Sequence, residues 1–156
     1  MPIALVFVAC EKIVIAKDDN NPTLIALLSQ FGGEVQLEQA PTASPFPVPM
    51  RWQIFTMWEK EPADEGKEFE QTVRFLSPSG RNYFVKQGEA DTPLAFTLKG
   101  QTHRVNATIS VLPIGENGKW RLDLFLREKG QPDWPSEPVR SYPLHLDFTV
   151  KIEPAQ

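Results

Sequence analysis

The sequence predicts an all-β chain, an antiparallel β-sandwich with at most one short helix. Three observations carry that expectation. Apolar residues alternate with polar ones at period two in several runs, the spacing of strands with one buried face. Turn residues separate those runs at short intervals. Helical spacing of apolar residues is nearly absent, which favours strands packed in two layers.

In chain order, Ile3–Ala9 is apolar on both faces and reads as a central or doubly covered strand. The run IALVFVAC, ending at Cys10, has the apolar character of a lipoprotein leader, but only Met1 and Pro2 precede it where a leader carries positive charge, so the strand reading is preferred. KDDNNPT, Lys17 to Thr23, then separates IVIA from LIALL. Two readings stay open. In the preferred one the flanking runs pair as a hairpin, in keeping with the rest of the chain. In the other, Asn21 caps a helix with Pro22 at its first position, Leu24, Leu27, Leu28 and Phe31 on its apolar face, and Gly32-Gly33 at its end.

Gln39–Met50 carries four prolines and is expected to be an extended crossover tied down by Phe46 and Val48, since proline donates no ladder hydrogen bond. Strands are expected at Trp52–Glu59, Phe69–Leu76, Asn82–Lys86 and Leu94–Leu98, with Ser77-Pro78-Ser79-Gly80 as a turn. Val105, Ala107, Ile109 and Val111 then share one strand face, and Glu116-Asn117-Gly118 signals a hairpin. Trp120, Leu122, Leu124 and Leu126 oppose Arg121, Asp123, Phe125 and Arg127. Trp134, between Pro132 and Pro135, marks a rigid loop before a last strand through Leu144, Leu146, Phe148, Val150 and Ile152.

At 156 residues the chain suits one domain, 1–156, with a sizeable core. Its net charge of -4 comes without a basic run or a DNA-binding motif, which argues against nucleic acid as a partner. No apolar stretch approaches the roughly 20 residues that span a bilayer, so no membrane partner is expected. One cysteine cannot form an internal disulfide, which fits a cytoplasmic location.

The chemistry-bearing residues do not assemble into a recognisable enzyme. The chain has two histidines, His103 and His145, so a three-imidazole metal centre is excluded. His103 falls in phase with a buried face. His145 and Asp147 share a face two residues apart, but no Gly-x-Ser-x-Gly elbow accompanies them, and a solvated strand face is the expectation. The glycines are scattered, with no phosphate cradle. Cys10, lacking a histidine partner, reads as a small buried residue. Asp18-Asp19-Asn20-Asn21 reads as a turn or cap, because calcium takes six or more oxygens and only two adjacent acids are offered. No cofactor is expected.

Four tryptophans stand in this chain. Trp52, Trp58 and Trp120 fall in phase with apolar neighbours and are assigned to the core. Phe125, flanked by polar Asp123 and Arg127, and Trp134 in its proline-bounded loop are the residues expected to be exposed. Aromatics beside arginine suit protein interfaces, so Phe125, Arg127 and Trp134 form the candidate interaction surface.

The order ACEKIVI, LIALLS, FPVP, VRFLSPSGR, LPIGENGKWRLDLFLRE and YPLHLDF resembles a family of small bacterial β-sandwich proteins of unassigned function, over most of the chain. Gly118-Lys119-Trp120-Arg121-Leu122 is similar to the penultimate strand of immunoglobulin-like and fibronectin-type sandwiches, though the antibody cysteine pair is absent. The resemblance implies an immunoglobulin-like fold and brings no catalytic residues. The expected function is a non-enzymatic interaction module that binds another protein or itself; the alternative is a module for carbohydrate or calcium.

Overall fold

The computed structural model describes residues 1–18, 20–85 and 89–153. Among the described residues nine strands follow one another: β1 Ile3–Ile15, β2 Pro22–Leu27, β3 Gln30–Leu37, β4 Phe46–Glu59, β5 Glu68–Leu76, β6 Leu94–Thr97, β7 Thr102–Ile114, β8 Gly118–Glu128 and β9 Arg140–Ile152. They form a four-stranded sheet, β2-β1-β4-β7, and a five-stranded sheet, β3-β9-β8-β5-β6. The only helical segment among the described residues is a single 3-10 turn at Pro62–Asp64.

The core lies between the sheets, where the alternating apolar faces predicted from the sequence meet. Trp52, Ile54 and Trp58 of β4 point inward, as do Phe69 and Phe75 of β5, Trp120, Leu122, Leu124 and Leu126 of β8, and Leu144 and Leu146 of β9. Aromatic edges and faces interlock there: Trp52 meets Phe31 at 5.8 Å and Phe75 at 5.7 Å, both edge-on. The buried indoles also find acceptors. Trp52 Nε1 donates to the Val111 carbonyl at 3.0 Å, Trp120 Nε1 to the Glu116 carbonyl at 2.8 Å, and Trp58 Nε1 to Gln71 Oε1 at 2.7 Å.

Several expectations are corrected by the architecture. The ladders are not all antiparallel, because β3 runs parallel to β9, from Gln30 beside His145 to Leu37 beside Ile152. A parallel pair needs a long connection, and here a hundred residues of both sheets supply it. The approach is close at Gly32, where an added Cβ would lie 2.9 Å from the Asp147 carbonyl oxygen.

The proline-rich segment is the second correction. Phe46–Met50 belongs to β4, with Phe46 opposite Ile114 and Pro49 opposite Val111. The ladder between β1 and β4 covers only Gln53–Glu59 on the β4 side, so the prolines sit where β4 has a neighbour on one side alone. Proline is tolerated on such an edge. The strand expected at Asn82–Lys86 is reduced to one bridge, Asn82 to Leu76, and Lys86 lies outside the described residues. Asn82 instead uses its side chain, its Oδ1 accepting from Phe75 N at 3.1 Å.

The hairpin reading of the Asx segment agrees with the structure: Ile15 pairs with Pro22, Ile13 with Leu24 and Lys12 with Ile25. Its turn closes by Asn20 N donating to the Ala16 carbonyl at 3.1 Å, with Asn20 at φ 55. Asp19 of the calcium reading lies outside the described residues. Asn117 in the β7–β8 turn clamps the last strand, its Oδ1 accepting from Phe148 N at 2.9 Å and its Nδ2 donating to Phe148 O at 3.0 Å.

Candidate binding surfaces

The outer face of the five-stranded sheet holds the three residues singled out from the sequence, and it is more closed than alternation suggests. Phe125 stands opposite Thr72 on β5 and is 3% exposed, which corrects the expectation that it faces solvent. Its cover is the Arg74 guanidinium, 4.1 Å from the ring centroid. Arg74 is held there by Asp91, whose Oδ2 accepts from Nη2 at 2.7 Å and from Nε at 2.9 Å. Cations over ring faces are attracted by the quadrupole, most strongly where water is excluded.

Arg127 and Trp134 are brought together. The guanidinium lies 4.1 Å over the indole, its Nε donates to Glu70 Oε2 at 2.7 Å, and its Nη1 donates to the Pro132 carbonyl at 3.1 Å. One arginine thus ties the Pro-flanked loop to β5, and Trp134 is half-buried. Asp123 on the same face is buried between Arg121 Nη2, at 2.7 Å, and the Ser141 hydroxyl, which donates at 2.6 Å. These acids and bases neutralise one another pair by pair.

The other chemistry-bearing residues are dispersed. His145 and Asp147 are exposed on β9. His103, on the core side of β7, stacks on Phe96 at 5.0 Å with a 9° interplanar angle, and burial lowers its pKa below the ordinary imidazole value. Cys10 is fully buried, and burial pushes its thiol up. Among the described residues no three His, Cys, Asp or Glu side chains gather as metal ligands. Among them, too, no helix is long and apolar enough to cross a membrane.

The surface that sequence reasoning missed is the β1–β2 hairpin. β1 pairs with β4 only as far as Cys10; beyond it, Ile13 N donates to Gln53 Oε1 at 2.6 Å, and Arg104 of β7 reaches the Asn20 carbonyl. Those two contacts fold the hairpin back across the outer face of the four-stranded sheet. Phe55, paired with Asn106 between those two contact points, lies outside the core cluster yet is 1% exposed.

A ribbon that covers a sheet with one face must show the other to water. Ile13 and Leu24, paired across the hairpin, are half-buried. Val14 and Ile25, on the face opposite Ile13, are 40% and 42% exposed, and Ile15 at the turn end and Leu27 at the base are 41% and 58% exposed. The signal was present in the sequence: IVIA and LIALL are apolar at consecutive positions, so both faces of a two-stranded ribbon are greasy. β2 is also the edge of its sheet, with β1 as its one neighbour. Leu27 and Ile25 therefore stand beside unpaired backbone.

The chain matches no protein-family model and no curated protein sequence.

Proposed function

We propose that the chain is a non-enzymatic interaction module, an immunoglobulin-like sandwich that associates with a second copy of itself through the β1–β2 hairpin. The observation that supports this reading is that Val14, Ile15, Ile25 and Leu27, four of the eleven exposed large hydrophobic residues among those described, lie on one hairpin. Exposed apolar residues beside an open sheet edge favour association.

A second copy suits the chemistry of the hairpin. From Glu11 to Leu27 the sequence carries Lys12 and Lys17 against Glu11, Asp18 and Asp19, a net charge of -1, so two hairpins meet without strong repulsion. Antiparallel pairing of two β2 edges about a two-fold axis at Ile25 sets Ile25 opposite its equivalent and Leu27 opposite Thr23. Such an isologous contact is closed and self-complementary. The Phe125, Arg127 and Trp134 face supports the module differently: its stacked arginines hold the sheet and loop rigid behind the hairpin-bearing layer.

Sedimentation equilibrium across a hundredfold concentration range tests the reading. The native chain is expected to dimerise, and Ile25→Asp/Leu27→Asp, at exposed positions that leave the core intact, to remain a folded monomer. A native chain that stays monomeric throughout, or a variant that dimerises equally well, refutes it.

A further inference from the structure

A second feature lies away from the hairpin, between the two layers. A cavity of about 200 Å³ opens between β4 and β7 on one side and β5 and β6 on the other. Its walls are mostly aliphatic, with Ile54, Val73, Val105 and Ile109 among them, and none of the described residues lining it is charged. Four polar residues interrupt that surface, Thr56 from β4, Gln71 and Thr72 from β5, and Thr92 before β6, and the Thr72 hydroxyl donates to the Thr92 carbonyl at 3.2 Å.

Thr56 is fully buried, and its hydroxyl is the one buried side-chain nitrogen or oxygen among the described residues with no hydrogen-bond partner in the protein. A buried hydroxyl left unpaired is unfavourable and rare in folded proteins. Gln71 is oriented by Trp58, whose Nε1 donates to its Oε1 at 2.7 Å. That bond identifies the amide oxygen and so makes the other end, Nε2, a donor. A hydroxyl that can donate or accept and an amide that donates thus stand in the wall of one apolar cavity.

We propose that this cavity is a binding site for a small neutral molecule, apolar in body and carrying a single hydroxyl or carbonyl oxygen. The oxygen is received by Thr56 Oγ1 and Gln71 Nε2, and the body lies against Ile54, Val73, Val105 and Ile109. Neutrality follows from the lack of charge among the described lining residues, since a carboxylate or ammonium would lose its hydration without gaining a counter-charge from them. The size follows from the volume: somewhat larger than a cavity that holds benzene, and below the range of drug-sized ligands. Short-chain alcohols and phenols have this chemistry.

The test uses the intact chain with phenol and 1-hexanol as probes, and with toluene and hexanoate as the apolar and charged controls. Binding is read by calorimetry and by the fluorescence of Trp58, which reports through its bond to Gln71. Phenol and hexanol are expected to saturate one site and shift the emission, with toluene weaker and hexanoate silent. Thr56→Val should fold at least as well as the native chain, yet lose about tenfold in affinity for phenol while toluene is unchanged. Ile109→Phe, which fills the space, should abolish binding of both. Absence of saturable binding, equal binding of hexanoate, or a Thr56→Val chain that binds phenol as tightly as before would each overturn the proposal; the first of these would leave Thr56 paired with water alone.

Discussion

Replacing Gln71 with Leu probes a hydrogen bond that joins the two layers through their aromatic core. Trp58 is fully buried on β4, and Gln71, nearly as buried on β5, accepts its indole N–H at 2.7 Å. Gln71→Leu keeps roughly the side-chain volume and leaves that N–H without a partner in an apolar setting. An orphaned buried donor costs about 1–3 kcal/mol. At ~2 kcal/mol, and with ~2–4 °C per kcal/mol for a chain of this length, the melting temperature should fall by ~4–8 °C. Urea denaturation should show a lowered midpoint with an unchanged slope, which marks lost stability and not a changed denatured state. Trp58→Phe removes the donor and adds its own packing loss. In the double variant, however, no N–H is left orphaned, so its loss should be smaller than the sum of the single losses by about 1–2 kcal/mol. Additive losses, within ~0.3–0.5 kcal/mol, would show that the bond does not couple the layers and refute the reasoning.

Three further outcomes follow from the same contacts. Arg74→Ala should cost about 1–2 kcal/mol by removing both the cation over Phe125 and the partner of Asp91, and Arg74→Lys should restore only part of it, because the planar fork makes the two bonds to Asp91; equal stability of the Lys variant in urea melts would contradict this. His103 has a folded pKa lowered by burial, so its unfolded form takes up a proton first as the pH falls; stability is full above about 6.5 and declines below it, and His103→Gln should flatten that decline before the carboxylates titrate near 4. A slope in stability between pH 6.5 and 5 that the variant leaves unchanged would count against it. Gly32→Ala places a Cβ 2.9 Å from the Asp147 carbonyl oxygen and should lower stability by at least ~1 kcal/mol, with loss of amide protection confined to β3 and the adjoining half of β9; unchanged protection there would show that the parallel pair tolerates the added methyl.

How far the sequence was legible depended on whether a rule was local. Alternation located β5, β7, β8 and β9 within a few residues, and it assigned Trp52, Trp58 and Trp120 to the core, because each strand's inward set is written in its own residues. It failed at Phe125, where the polar face is dry: the cover comes from Arg74 on another strand and from Asp91 in a distant loop, a relation with no local trace. The proline rule was sound but applied to the wrong unit. Prolines bar a central ladder, and β4 is central only from Gln53 onward. The parallel strand β3 was hidden because Phe31-Gly32-Gly33 carries the residues of a helix end, whereas Gly32 serves the close approach of β9. The exposure of Ile25 and Leu27 was present in the apolar runs IVIA and LIALL, but which face of the ribbon stays wet was decided by where the hairpin folds back, through Gln53 and Arg104.

Hydrogen exchange of the β2 amides, measured at a dilute and at a concentrated extreme, tests the self-association through the hairpin most directly. Pairing of two β2 edges predicts that exchange of the β2 amides turned away from β1 slows with concentration while β6 and β7, edges not used in the contact, keep their rates. Exchange at β2 that is independent of concentration, or slowing that falls on β7 instead, would contradict the assignment of the hairpin as the binding surface.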